Sequence, residues 1–140
     1  AYRDAGGRDV IDVIEQVKQQ WKIDAARVYV TGHSMGGMGC VALVQDYPET
    51  FAAVAPVASY AATETMQHLS STPFLWIVGQ DDGDWATGTV ARMDSAATAM
   101  GAPHRSLVLE GFDHGGFLGL QWPTVVEATL PQVFAFFAEH

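Results

Sequence analysis

The chain has 140 residues, 49% of them hydrophobic, and its seven Lys and Arg against sixteen Asp and Glu give a formal charge of −9. That length predicts one domain with a substantial core, and the acidic balance argues against nucleic acid or an anionic membrane as partner. No apolar run approaches the roughly 20 residues of a membrane span, and the single Cys40 excludes an internal disulfide while suiting a buried thiol.

Apolar residues at Val10, Val13, Ile14, Val17 and Trp21 keep to one side of a helix over residues 9–21, with Asp9 placed to cap it and Lys18 in its last turn. Residues 23–27 link it to a strand at 28–31. A helix rich in small residues follows over 35–45, stopped near Pro48, and a second strand is expected at 51–57 with Pro56 near its end. Residues 60–71 are small and polar, suited to a weak helix and a loop. The run 74–78, closed by Gly79, reads as a buried parallel strand. A helix over 87–100 presents Val90, Met93, Ala97 and Met100 on one side, and a short strand occupies 106–109. A terminal helical region covers 122–130 and 131–139, divided by Pro131, with Val133, Phe134, Phe136 and Phe137 as a broad apolar face. Strands spaced by helices predict an α/β fold: a mainly parallel sheet of about four strands with helices on both faces.

The chemistry concentrates at the first strand's end. Gly32-His33-Ser34-Met35-Gly36-Gly37 is Gly-x-Ser-x-Gly between a strand and a helix, the setting of a nucleophile elbow. A serine hydroxyl needs a base beside it and donors above it. The tight turn lifts Ser34 off the sheet, Gly32 and Gly36 are expected to leave room for it, and Gly37 to let the helix approach closely. The N–H of Met35, at the start of the helix, is the expected first oxyanion donor. Asp81, Asp82 and Asp84 follow the 74–78 strand at the edge where α/β sheets collect their ligands. His114 sits in the glycine-flanked loop after the last strand. The order Ser, Asp, His makes His114 the candidate base and Asp82 the preferred acid, with Asp84 next and Asp81 third. His68, His104 and His140 read as surface or structural residues, and His33, inside the elbow, as part of the pocket wall. Trp85, Phe112, Phe117 and Trp122 are candidates for the pocket, and Trp76 for the core. Asp81, Asp82, Asp84, Asp113 and His114 could in principle ligate a cation, but no metal-binding spacing is present and no metal or cofactor is expected.

With these residues in place, the chain resembles the α/β-hydrolase superfamily, and within it the feruloyl esterase, polyhydroxybutyrate depolymerase and predicted-peptidase groups. The resemblance is carried by Arg27-Val28-Tyr29-Val30-Thr31-Gly32-His33-Ser34-Met35-Gly36-Gly37-Met38-Gly39 and by Tyr47-Pro48-Glu49-Thr50-Phe51-Ala52-Ala53-Val54-Ala55-Pro56-Val57. It implies a serine carboxylic-ester hydrolase working through an acyl-enzyme, on a small-molecule or polymeric ester, with a secreted or periplasmic location among those it allows. A serine peptidase or amidase on the same scaffold is the alternative. The resemblance also implies strands ahead of the helix near Asp9, one of which supplies the second oxyanion donor. Residues 1–140 are therefore expected to be a single C-terminal part of such a catalytic domain. Its partner is expected to be the N-terminal half of the same enzyme or a second copy of the chain; without it the chain would be a catalytically incomplete fragment.

Overall fold

The computed structural model describes residues 5–61, 71–115 and 122–140. In chain order it contains α1 (Ala5–Gln20), β1 (Tyr29–His33), α2 (Met35–Asp46), β2 (Ala53–Val57), β3 (Phe74–Gly79), α3 (Asp84–Met100), β4 (His104–Leu109) and α4 (Trp122–Glu139). The four strands form one parallel sheet in the order β1-β2-β3-β4, with Tyr29 beside Ala53, Val54 beside Phe74 and Phe74 beside His104.

Side chains alternate across this sheet with a period of two. Phe74, Trp76 and Val78 of β3 face one side and join Val54 of β2, Cys40, Val41 and Val44 of α2, and Val90, Met93 and Ala97 of α3. Leu75 and Ile77 face the other side and join Ala53, Ala55, Leu109, Val133, Phe136 and Phe137. Crossovers of one hand that step along the sheet in one direction put their helices on one face. This is why α2 and α3 share a layer and α4 covers the opposite one. The expected α/β class, four parallel strands and two helical layers are all present.

Several local expectations change. α1 starts at Ala5, so Asp9 lies inside the helix and does not cap it. Val10, Ile11 and Ile14 of α1 pack on the core, whereas Val13, Val17 and Trp21 stay exposed, so the buried stripe is narrower than the apolar pattern. α3 begins three residues early, at Asp84. His104 belongs to β4, with its ring beside Phe74. Pro131 lies within the single helix α4, and Phe134 on that helix is 64% exposed. Cys40 and Trp76 are buried as expected. Among the described residues no helix is long and apolar enough to cross a membrane.

Candidate active site

The carboxyl ends of β1, β3 and β4 converge at one rim of the sheet. β1 runs through Gly32 and His33 into Ser34, which caps α2 with φ 54° and ψ −116°. This is a left-handed backbone on a residue that has a Cβ, a conformation that costs on the order of 1–3 kcal/mol and persists only where neighbours impose it. The neighbours are identifiable. The Ser34 N–H donates to the Val57 carbonyl at 2.8 Å, tying the elbow to the end of β2. A Cβ on Gly32 would stand 2.6 Å from the Gly36 carbonyl oxygen, and one on Gly37 would overlap the Ser59 side chain. Gly36 behaves differently from expectation, since a Cβ there would meet nothing within 4 Å. The tight fit belongs to Gly32 and Gly37.

The segment after β3 and the loop after β4 are tied together in a similar way. Gln80 N–H donates to Leu109 O at 2.9 Å and Asp81 N–H to Phe112 O at 3.0 Å. A Cβ at Gly79 would collide with the Phe112 carbonyl, so the loop can cross there only over a glycine. Gly111, with φ 74°, turns the chain back towards the sheet. These contacts carry His114 over the rim.

The result is a continuous series of side chains. Ser34 Oγ lies 2.8 Å from His114 Nε2, and His114 Nδ1 lies 3.0 Å from Asp82 Oδ2. The Asp82 side chain is 4% exposed and the His114 side chain 46% exposed. The carboxylate is thus shielded from water while the imidazole can reach a ligand. With Nδ1–H donated to Asp82, Nε2 is the acceptor for the Ser34 hydroxyl hydrogen. Met35, the first residue of α2, has its N–H at the helix N-terminus, where backbone donors lack intrahelical acceptors. Asp84 is the first residue of α3, and Asp82 is the carboxylate that meets His114.

The surrounding cleft encloses about 160 Å³ and is lined by Ser34, Met38, Ala58, Ser59, Tyr60, Trp85 and His114. Trp85 stands edge-on to both Tyr60 and His114, with ring centroids 6.3 and 6.2 Å away. Of the pocket residues expected from sequence, Trp85 lines this cleft and His33 adjoins His114. Phe112 packs instead against the core on the α4 side of the sheet. Phe117 and the Trp122 side chain lie outside the described residues. Ser59 and Tyr60 were not anticipated; their signal is position, directly beyond the carboxyl end of β2. Ser59 Oγ is buried without a hydrogen-bond partner among the described residues. Burial, and secondarily the nearby His114, hold the His33 imidazole below its ordinary range. Among the described residues no group of three His, Cys, Asp or Glu could hold a metal ion.

The prolyl oligopeptidase family profile matches residues 1–99. No curated protein sequence matches the chain. Among solved structures, a thermostable esterase superposes with a TM-score of 0.79 at 22% identity, over 97% of this chain and 37% of its own. Dipeptidyl peptidase 4 of Porphyromonas gingivalis gives 0.73 at 17% identity, over 92% of this chain and 22% of its own. The acylaminoacyl peptidase of Pyrococcus horikoshii gives 0.69 at 12% identity, over 80% and 24%. The chain therefore spans well under half the length of each of these proteins. They share its fold, the α/β-hydrolase fold. Together with the profile match, this makes the chain a member of the prolyl oligopeptidase family, a family of hydrolases.

Proposed function

We propose that the chain carries the catalytic residues of a serine hydrolase that cleaves carboxylic esters through an acyl-enzyme. The observation that carries this reading is the pair of hydrogen bonds running from Ser34 through His114 to Asp82. Ser34 Oγ attacks the ester carbonyl carbon while His114 Nε2 accepts the hydroxyl proton. Asp82 holds the imidazole in the required tautomer and stabilises the imidazolium. The Met35 N–H donates to the developing oxyanion. The C–O bond then breaks, and His114 returns its proton to the departing alkoxide. Water, deprotonated by the same nitrogen, attacks the acyl-enzyme, and Ser34 leaves as the hydroxyl. A cleft of about 160 Å³ suits the acyl part of a substrate rather than a whole polymer. The alcohol part, small or polymeric, would remain in solvent.

Peptide or amide cleavage is the second reading. It is favoured by the prolyl oligopeptidase family profile and by peptidases among the structural neighbours. The same residues serve both, but an amine leaving group depends more heavily on proton return from His114. The second oxyanion donor and a partner for the outer edge of β1 are assigned in this proposal to a further part of the enzyme, or to a second copy of the chain. Native mass and oligomeric state test that assignment. A panel of p-nitrophenyl esters and aminoacyl p-nitroanilides separates the two activities. Ser34→Ala should abolish turnover and fluorophosphonate labelling in a folded protein, and unchanged p-nitrophenyl acetate hydrolysis by that variant would end the proposal.

A further inference from the structure

His33 makes a contact that the acid, base and nucleophile do not account for. It is the last residue of β1, immediately before Ser34, and its Nε2 lies 3.3 Å from the main-chain oxygen of His114. A carbonyl oxygen only accepts, so Nε2 carries the hydrogen. The imidazole is held below its ordinary range, so near neutral pH it is uncharged and Nδ1 bears no proton. The two rings are 5.1 Å apart and inclined by 46°, so they do not stack.

The elbow and the base loop are thus joined at two adjacent points. One is the Ser34–His114 hydrogen bond, which in the proposed reaction is broken when the acyl-enzyme forms. The other, from His33, involves none of the reacting atoms. We propose that His33 is a positioning residue, whose Nε2–H bond to the His114 carbonyl holds the base loop against the elbow while the Ser34 hydroxyl is acylated. The proposal rests on the reading of Ser34 and His114 as nucleophile and base. An uncharged donor suits this place, because a fixed cation 5.1 Å away would oppose the imidazolium that forms on His114.

The test compares His33→Phe, which keeps a ring without a donor, with His33→Gln, which places an amide nitrogen the same number of bonds from Cα. His33→Met replaces the Phe variant if that one does not fold. The donor-free variant should lose about tenfold in kcat on p-nitrophenyl acetate with KM changed less than about twofold, and His33→Gln should recover most of the loss. Amide hydrogen exchange at residues 112–115 should be faster in the donor-free variant and near the parent rate in His33→Gln. Equal impairment of the two variants, or a donor-free variant with parental kcat, overturns the proposal. Should the parent show no Ser34-dependent turnover, the functional reading fails on its own. Exchange then decides the tether, and rates unaltered by donor loss overturn it.

Discussion

Replacing Gly79 by Ala would test how closely the placement of His114, the proposed base, depends on one crossing point. The added Cβ would overlap the Phe112 carbonyl oxygen outright and stand 2.7 Å from its carbon, where ordinary contact begins at 3.4 Å. The oxygen sets the larger displacement, so the loop must retreat by on the order of 1 Å or more, since β3 is fully buried and cannot yield instead. Carried through to His114, a retreat of that size takes the 2.8 Å Ser34–His114 contact beyond useful hydrogen-bond range. It also strains the Asp81–Phe112 hydrogen bond. Misplacement on the 1 Å scale costs about 100-fold in rate, or about 2.7 kcal/mol of transition-state stabilisation. Overpacking should destabilise the fold by about 1–3 kcal/mol. The assay is kcat/KM on p-nitrophenyl acetate, with circular dichroism and thermal unfolding to confirm that the variant folds. A folded Gly79→Ala protein within about twofold of the parent would refute the claim that this glycine sets the base in place.

Asp82→Asn should lower kcat/KM by on the order of 10³–10⁴-fold, because an amide favours the wrong imidazole tautomer, whereas Asp84→Asn should stay within about threefold; the reverse ranking would move the acid to α3. Burial pushes the Cys40 thiol up to about 12, so a disulfide reagent at pH 8 should leave it unmodified until the protein is unfolded, and rapid reaction in the native state would contradict its placement in the core. His33 is held below its ordinary value near 6.5, so the unfolded chain binds that proton more readily. The stability this contributes is present above about pH 6.5 and is lost as pH falls through the lower, folded value. Melting temperature should accordingly drop more between pH 7 and pH 5 in the parent than in His33→Gln, and parallel curves would count against it.

The sheet was readable because each strand carries a short apolar run bounded by glycine, proline or polar residues. Phe74 to Val78 is the clearest instance, and both of its faces are buried. Ser34, Asp82 and His114 each lie just past the carboxyl end of a strand in a parallel sheet, which is what makes them candidates from sequence alone. Other features depend on distant neighbours. Nothing in the α1 pattern says that Val13, Val17 and Trp21 face outwards, because the width of the buried stripe is set by how α1 lies on α2. Gly36 looks as constrained as Gly32 in the motif, yet only the fold shows which of them another backbone approaches. Tyr60 escaped notice because its segment lacks charge or motif. It gains meaning from Trp85, 25 positions further on, which stands edge-on beside it.

Ser34 and His114 are 80 positions apart, and Asp82, which lies between them in the chain, is 32 positions before His114. No hairpin or single helix brings any two of them together; each contact requires strands already aligned side by side. Contacts of such long separation close late, after the loop-closure entropy has been overcome. In a refolding experiment, regained turnover should therefore lag behind the return of helical signal, and its first appearance would time the arrival of the last strand.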